Sequence, residues 1–238
     1  HIELPGLLLH LEGRPSPKRA GAPRTRLSGK AALVAQALLL RREDAWHVGR
    51  LAQEAGVSVG LAHRVVARLE GEGIVVAEGS GPHRVRRITD PGALLDLWAE
   101  ENVDRPVRTQ GYLLAQTPQR LIAKLAGSLA GAGIDYAVTG AAAASLLAPF
   151  LTAIPVVDVW VSAKTAPEVL LAATDSEPVA DGANVVLLQG KDDAPLVFRE
   201  KVNDICVANR FRLYVELLRD PRRGREQAEH LRQEVIGF

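Results

Sequence analysis

Apolar positions between Val48 and Leu69 follow the 3.6-residue period of α-helices in two separate runs. The first run predicts a short helix, and Gly56 permits the left-handed turn that ends it. The second run begins after Ser58, whose hydroxyl can accept a hydrogen bond from an otherwise unpaired N–H of the next helical turn. Its apolar face consists of Leu61, Ala62, Val65, Val66 and Leu69. Two helices joined by a short turn containing glycine are typical of the helix-turn-helix motif.

A predicted β-hairpin follows the second helix. The apolar residues 74–76 form its first strand, and residues 79–82, Gly-Ser-Gly-Pro, predict a tight connection. The returning segment 83–88 carries His83, Arg84, Arg86 and Arg87. A cationic hairpin beside a helix-turn-helix is typical of a wing that contacts DNA phosphates.

We therefore predict a DNA-binding surface on the second helix and the hairpin. The second helix of such a motif enters the major groove, where it contacts base edges. The predicted DNA-binding residues are Ser58, Val59, Gly60, His63, Arg64, Arg68, His83, Arg84, Arg86 and Arg87. Modules that bind only protein also use this geometry, and in such a module the arginines would be an ordinary solvated face.

The pattern upstream and downstream of the motif predicts a complete domain over residues 28–103. A helix over Lys30–Arg42, capped by Ser28, supports the motif. Asp90 and Pro91 open a further helix, as N-cap and first helical residue. This helix either covers its own domain or packs on a partner subunit.

Residues 1–27 precede that domain as an N-terminal remnant followed by a basic arm or linker. The segment 1–13 predicts a strand or hairpin with Pro5-Gly6 as its turn. Residues 14–27 are rich in proline, glycine and cations, which is typical of an exposed tether, although such arms can also lie in a minor groove. Since the chain begins with His1, we expect its true start to be missing.

Residues 104–238 form the predicted second domain, after a boundary within 103–109. Short strands and helices alternate there, as in α/β domains. The predicted strands are 112–114, 137–139, 156–162, 185–188 and 205–207, and the predicted helices are 117–131, 141–147, 167–173, 209–219 and 225–236. The whole chain is thus expected to be α+β, with a winged helix-turn-helix domain followed by an α/β domain.

Composition and charge narrow the functional class. With 47% apolar and 24% charged residues, the 238-residue chain has the composition of a folded globular protein. A single cysteine, Cys206, excludes a disulfide framework and indicates a reducing, cytoplasmic compartment. The net charge is only +1, but residues 1–30 carry four more basic than acidic side chains and residues 135–207 carry six more acidic ones. A basic front and an acidic rear would orient the protein on a polyanion.

Two segments of the second domain resemble the core of the nucleotidyltransferase fold: residues 136–141, Tyr-Ala-Val-Thr-Gly-Ala, and residues 156–161, Val-Val-Asp-Val-Trp-Val. In that family, a Gly-Gly or Gly-Ser turn follows one strand, and alternate residues of the next strand are carboxylates that bind Mg²⁺. Here the first carboxylate position is Asp158 and the second is Trp160. Since an indole is not an oxygen ligand, we expect a chemically inactive site in which Asp158 is a hydrogen-bonded structural residue.

Three stretches together resemble the AbiEi family of antitoxins from bacterial type IV toxin–antitoxin systems: AQEAGVSVGLAHRVVARLE, DYAVTGAAAASLLAP and ANRFRLYVELLRDPRRGREQAEHLR. The resemblance implies a transcriptional repressor that binds inverted repeats at its own operon. It also implies that the second domain opposes a partner toxin that is itself a nucleotidyltransferase. We expect two copies of the chain on a palindromic operator of double-stranded DNA.

These expectations include no catalytic residue, no cofactor, no metal and no membrane partner. Two alternatives remain open at this point. One is an active nucleotidyltransferase acting on nucleic acid, which requires a second acidic ligand near Asp158. The other is a stand-alone regulator whose second domain senses a small ligand.

Overall fold

The computed structural model describes residues 2–4, 7–9, 25–151 and 153–238. Strands β1 (Ile2–Leu4) and β2 (Leu7–Leu9) pair antiparallel, which confirms the two strands of the predicted N-terminal hairpin. The predicted turn at residues 5–6 and most of the predicted basic arm lie outside the described residues. We call residues 25–103 the front part and residues 104–238 the rear part.

Three helices open the front part: α1 (Lys30–Leu40), α2 (Val48–Glu54) and α3 (Val59–Gly71). Helix α1 is buried from Ala31 to Leu39, so it supports the other two. The prediction that Ser28 caps α1 is wrong: Gly29 occupies the N-cap position at φ 51°, without a side-chain cap bond. Glycine tolerates this left-handed backbone, and so the chain turns into the helix without a hydroxyl cap.

The connection between α2 and α3 agrees with its sequence pattern. Gly56 has φ 61°, the left-handed conformation expected after a helix end. The Ser58 Oγ accepts a hydrogen bond from the Leu61 N–H at 3.3 Å, which confirms the predicted N-cap. The predicted apolar face of α3 is buried at Ala62, Val65, Val66 and Leu69.

Strands β3 (Val75–Glu78) and β4 (Val85–Ile88) form the predicted antiparallel hairpin. Trp46 pairs with Arg86 through backbone hydrogen bonds of 2.8 and 2.9 Å and so extends the hairpin by a short bridge. The connection is longer than the tight turn predicted, because a 3₁₀ turn occupies Gly81–His83. Gly79 is required there: it has φ 76°, and a Cβ would lie 2.8 Å from the His83 carbonyl oxygen.

Helix α4 (Pro91–Glu101) begins at Asp90, whose Oδ1 accepts a hydrogen bond from the Ala93 N–H at 2.8 Å. This confirms Asp90 as its cap. Its apolar stripe, Leu94, Leu95 and Trp98, is buried. The helix packs against α1 and against a helix near the chain's C-terminus, α8 (Arg210–Leu217), so it joins the two parts of the chain.

The rear part contains a seven-stranded mixed sheet in the order β10-β11-β6-β7-β9-β5-β8. Two neighbouring pairs, β11 with β6 and β7 with β9, are parallel, and the other pairs are antiparallel. The strands are β5 (Val107–Tyr112), β6 (Tyr136–Thr139), β7 (Val157–Val161), β8 (Glu177–Pro178), β9 (Val185–Gln189), β10 (Glu200–Val202) and β11 (Ile205–Val207).

The rear helices, besides α8, are α5 (Pro118–Gly131), α6 (Gly140–Leu147), α7 (Pro167–Thr174) and α9 (Gly224–Leu231), with a π-helical turn at Arg232–Ile236. They agree closely with the predicted helices. The largest difference lies in β5: the prediction of a strand at 112–114 is wrong beyond Tyr112, because the strand spans Val107–Tyr112 and takes up residues 107–109 of the predicted boundary segment 103–109. Because most residues of that strand are polar or exposed, the pattern of apolar positions does not predict it.

Alternate residues of the central strands pack into two different clusters, one on each face of the sheet. Val157, Val159 and Val161 of β7 belong to the main buried cluster, together with residues of the helices. Trp160 lies on the opposite face, in a smaller cluster with Ala137, Val186, Leu188 and Leu196. Since alternate strand residues point to opposite faces, the second face carries both Asp158 and Trp160. The chain as a whole is therefore α+β, as predicted.

Candidate nucleic-acid interface and sheet cavity

The N-terminal end of α3 is exposed at most of the positions predicted to contact DNA. Ser58, Val59, Gly60, His63 and Arg64 are all exposed, and Val59 retains 57% of its accessible surface. A Cβ at Gly60 would lie 3.7 Å from the Arg64 Nη1, so the Arg64 side chain reaches back over Gly60 along the helix surface. These five residues bring a hydroxyl, an apolar side chain, an imidazole, a guanidinium and bare backbone together at the N-cap and the first two turns of α3.

Arg68 lies further along α3 and is held in a different way. Its Nη1 and Nη2 donate to the two carboxylate oxygens of Glu101 at 2.6 Å each, and its Nε donates to Glu72 at 3.0 Å. The Nη1 also donates to the Thr25 carbonyl oxygen, and the side chain is only 10% exposed. The bond to Arg68 is the main cause that holds the pKa of Glu101 below its usual range, and the same bond raises the pKa of Arg68. This geometry argues against the predicted DNA contact of Arg68, because its donors join α3 to the end of α4.

The hairpin arginines are each paired with a glutamate. Arg84 and Arg86 donate to the two oxygens of Glu70 at 2.8 and 2.9 Å, and Arg87 donates to Glu78 at 3.3 Å. The Arg84 and Arg87 side chains are each 45% exposed, whereas that of Arg86 is 11% exposed. Since Glu70 belongs to α3, the Arg86 pair attaches the hairpin to α3. His83 lies exposed in the hairpin connection.

Asp158, in the rear part, occupies the first carboxylate position of the segment that resembles nucleotidyltransferases. Its Oδ1 accepts a hydrogen bond from Arg108 at 3.2 Å, and its Oδ2 lies 3.8 Å from the Arg222 Nη2. Burial raises the pKa of Asp158, while the two arginines oppose the rise. The expectation of a hydrogen-bonded Asp158 is therefore met by Arg108, on β5, and supported by Arg222.

Trp160 occupies the position of the second carboxylate and donates its indole N–H to Glu216 of α8, with Nε1–O distances of 3.0 and 3.1 Å. The same carboxylate accepts hydrogen bonds from Thr139 at 2.5 Å and from Arg212 at 3.2 Å. Sequence reasoning missed Glu216, although it lies in the Leu-Tyr-Val-Glu-Leu-Leu motif. Its position along the chain, 56 residues after Trp160, carries no signal that the two side chains meet.

Arg212 is a buried cation at the contact between the two parts. Its side chain is 1% exposed, and its Nη1 reaches Asp104 at 3.5 Å as well as Glu216. Its guanidinium lies about equally far from the rings of Trp98 and Trp160, at 5.9 and 6.0 Å. Within the described residues its Nε and Nη2 atoms have no hydrogen-bond partner. Buried donors of this kind are commonly satisfied by water.

A cavity of about 630 Å³ opens on this second face of the sheet, beside Asp158 and Trp160. Gly140 lies at its edge with φ 60°, and a Cβ there would lie 3.3 Å from the Asp158 Oδ2. The lining residues are Asn102, Asp104, Pro106, Arg108, Gln110, Thr139, Gly140, Val156, Asp158, Trp160, Ala180, Asp181, Gly182, Ala183, Val186, Leu188, Glu216, Arg219, Asp220, Pro221 and Arg222.

Two features are absent from the described residues. Nowhere in residues 25–151 and 153–238 do three or more His, Cys, Asp or Glu side chains form a group that could hold a metal ion. Among the helices of the described part of the chain, none has the length and apolar character needed to cross a membrane.

The chain matches the model of a known protein family. The model of the AbiEi_2 family, described as a transcriptional regulator and AbiEi antitoxin of a type IV toxin–antitoxin system, matches residues 87–237. The matched segment starts in β4 and includes α4 and the entire rear part up to the π-helical turn. No curated protein and no solved structure matches the chain.

Proposed function

The chain belongs to the AbiEi family of antitoxins that regulate transcription in type IV toxin–antitoxin systems, and on that premise we propose that it is a sequence-specific DNA-binding repressor of its own operon. The front part is then a winged helix-turn-helix domain, with α3 as the recognition helix and the β3–β4 hairpin as the wing. The observation that carries the proposal is the exposed, mixed surface at the N-terminal end of α3, formed by Ser58, Val59, Gly60, His63 and Arg64.

Recognition helices present their N-terminal residues to the base edges of the major groove. Arg64 supplies a guanidinium suited to the two acceptors of guanine, and Val59 supplies an apolar surface suited to a thymine methyl group. Gly60 has no side chain, so DNA can approach the backbone beside Arg64. Ser58 and His63 complete this surface as polar groups that can contact bases or phosphates.

The wing contributes affinity in this proposal. Arg84 and Arg87 are the hairpin arginines with large exposed fractions, and we assign them, with His83, to the phosphate backbone. Arg86 and Arg68 are assigned to the structure of the domain, because their ion pairs with Glu70 and Glu101 hold hairpin and α4 against α3. Each copy of the chain would bind one half of an inverted repeat, and two copies would match a palindromic operator.

The rear part is a degenerate nucleotidyltransferase-like domain in this proposal, and its partner is a nucleotidyltransferase toxin. The support is local: the indole of Trp160 lies where a second metal-binding carboxylate would be needed, and Glu216 accepts hydrogen bonds from it and from Thr139 and Arg212. Since Glu216 already accepts hydrogen bonds from these three donors, binding Mg²⁺ there would have to compete with them. We therefore assign the domain a binding role and no bond-making step.

The test compares Arg64→Ala and Arg87→Ala in the full chain, on duplexes from the region upstream of the gene and on scrambled duplexes. Arg64→Ala should lower the affinity for the specific duplex by about tenfold or more and relax the preference over scrambled DNA. Arg87→Ala should weaken binding to both duplexes and reduce the slope of log K against log salt by about one. Fluorescence anisotropy at several salt concentrations measures both effects.

Arg199→Ala is the matched control, since Arg199 is an exposed arginine of the rear part that pairs with Asp135 at 2.7 Å. Its DNA affinity and salt slope should equal those of the wild-type chain. Equal operator binding by Arg64→Ala, Arg87→Ala and the wild-type chain would refute the proposed interface.

A further inference from the structure

Glu70, near the C-terminal end of α3, is shared by two arginines of the hairpin. Its Oε1 accepts a hydrogen bond from the Arg86 Nε at 2.9 Å, and its Oε2 accepts one from the Arg84 Nη2 at 2.8 Å. The Glu70 side chain is 20% exposed. A single carboxylate on α3 therefore holds two guanidinium groups of the hairpin.

Arg86 fixes the position of this carboxylate. Its backbone N–H and C=O both pair with Trp46, its Nη1 donates to the Arg84 carbonyl oxygen at 3.3 Å, and its side chain is 11% exposed. Since backbone and side chain are both held, Arg86 has little freedom to move away from Glu70. The Glu70 Oε2 is thus a fixed acceptor for Arg84.

Arg84 is the arginine of this group that can also reach a ligand. Its side chain is 45% exposed, and within the described residues its guanidinium makes one hydrogen bond, to Glu70. A guanidinium has five N–H donors, so the other donors of Arg84 can bind a phosphate. Because Glu70 holds the side chain, the phosphate within its reach is one that lies beside the C-terminal half of α3.

Arg87, the other exposed arginine of the hairpin, is not tied to α3. It pairs with Glu78 of β3 at 3.3 Å, and both side chains are about half exposed. Its Nη1 donates to the carbonyl oxygen of Glu43, before α2. The Glu70 pair, in contrast, links a phosphate-binding side chain to the helix that we assign to the major groove.

We propose that Glu70 is a positioning residue that raises the sequence specificity of DNA binding by restraining Arg84; this inference rests on the proposed function. When α3 is seated in the groove of its operator, the restrained Arg84 meets a phosphate beside the helix. On other duplexes α3 is not seated in this way, and the restrained side chain does not reach the phosphates that a free arginine would bind. Glu70 therefore limits the contacts that carry no sequence information.

The test uses Glu70→Gln in the full chain, because the glutamine carbonyl oxygen can still accept the hydrogen bond from Arg86 whereas the ion pair with Arg84 is lost. Affinity for scrambled duplexes should rise by about two- to fivefold, which is the range of a half-exposed ion pair. The slope of log K against log salt on these duplexes should become steeper by about one, because the released Arg84 adds a phosphate contact. Affinity for the upstream duplex should change less, so the ratio of specific to scrambled affinity should fall. Fluorescence anisotropy at several salt concentrations measures all three quantities.

Glu200→Gln is the matched control. Glu200 is a carboxylate of the rear part with an 18% exposed side chain, and it also holds an arginine, Arg210, at 2.7 Å. The control changes the net charge by the same amount, and its affinities for both duplexes should equal those of the wild type.

Two further variants separate positioning from a merely structural role. In Glu70→Gln/Arg84→Ala, affinity and salt slope on scrambled duplexes should equal those of Arg84→Ala alone, because Glu70 acts through Arg84. Glu70→Asp keeps the charge but shortens the side chain by one methylene, so it should lower the specificity ratio in the same direction. Its result decides the matter if Glu70→Gln has a lowered unfolding temperature.

An unchanged specificity ratio in Glu70→Gln and Glu70→Asp would overturn the inference, as would a rise in scrambled affinity that persists without Arg84. Parallel loss of affinity for both duplexes, together with a lowered unfolding temperature in both variants, would show a structural role and would also overturn it. In each of these cases a wild-type chain that prefers the upstream duplex leaves the proposed function standing. A wild-type chain that binds neither duplex would instead refute the proposed function, and this inference with it.

Discussion

Asp158 illustrates how burial and pairing compete at a single carboxylate. Burial raises its pKa, and the arginines 108 and 222 only partly offset that rise. A raised pKa in the folded state means that the fold favours the protonated acid. Ionisation of Asp158 consequently costs stability, and this cost is present above the raised pKa and absent below the ordinary value of an aspartate, about 4.

We predict that Asp158→Asn unfolds at a temperature equal to or above that of the wild type at pH 7, because the amide carries no charge to be buried. The difference should shrink as the pH falls from neutrality towards about 4, where the wild-type carboxylate becomes protonated in both states. Thermal unfolding followed by circular dichroism between pH 4 and pH 8 measures it. Asp135→Asn, an exposed carboxylate of the same domain, is the control. A variant several degrees less stable at pH 7 would show that Arg108 and Arg222 need the charge.

Helix α3 carries two kinds of arginine that periodicity alone places on the same outward side. Arg64 reaches over Gly60 at the exposed end of the helix, whereas Arg68, one turn later, binds Glu101 and Glu72. The difference arises because Arg68 lies within reach of Glu101 at the C-terminal end of α4. Helix α3 is thus divided into an exposed N-terminal end and a C-terminal end that is anchored by ion pairs.

Arg68→Ala should therefore lower the free energy of unfolding by about 2–4 kcal/mol, since it leaves the partly buried Glu101 carboxylate without its main partner. The double variant Arg68→Ala/Glu101→Gln should recover part of the loss, because the unpaired charge is removed. Urea unfolding at pH 7 measures both. Because the pKa of Glu101 is lowered in the folded state, the stability that it contributes should be lost as the pH falls through that lowered value. An Arg68→Ala chain with normal stability and weakened DNA binding would contradict the anchoring role.

The two parts of the molecule share buried structure. One cluster of buried apolar residues contains residues from α1, α4, the central sheet and α8. The Arg212 guanidinium of α8 lies 5.9 Å from the ring of Trp98 in α4, and Arg232 of the C-terminal turn donates to Asp96 of α4 at 2.6 Å. The front and rear parts are therefore joined by apolar packing and by ion pairs.

The continuous cluster predicts that front and rear unfold together. Trp46 and Trp98 report on the front part and Trp160 on the rear, so tryptophan fluorescence and far-ultraviolet circular dichroism should give coincident urea transitions. Trp160→Phe, which removes the rear reporter, should leave the fluorescence midpoint equal to the circular dichroism midpoint of the same variant. Two separated transitions would show that the parts fold independently.

The local sequence pattern determines much of the secondary structure of this protein. The periods of α2 and α3, the cap residues Ser58 and Asp90, and most rear helices and strands follow from neighbouring residues, because helices and their caps depend on contacts within about four positions. The absence of a second carboxylate on β7 is also visible in the sequence, because it depends only on the identities of the alternate residues Asp158 and Trp160. The family resemblance is confirmed by the match to residues 87–237, which contains the second and third of the three stretches, whereas the first stretch, residues 52–70, lies outside it.

Only the tertiary structure determines which charged groups are paired and which are exposed. Arg68 and Glu101 are 33 residues apart, Trp160 and Glu216 are 56 apart, and Thr139 and Glu216 are 77 apart. Packing of α4 and α8 brings these pairs together, and no local period records such distances. The sequence therefore indicates where cations and carboxylates occur, whereas the fold determines which of them are joined in ion pairs and which remain exposed to a ligand.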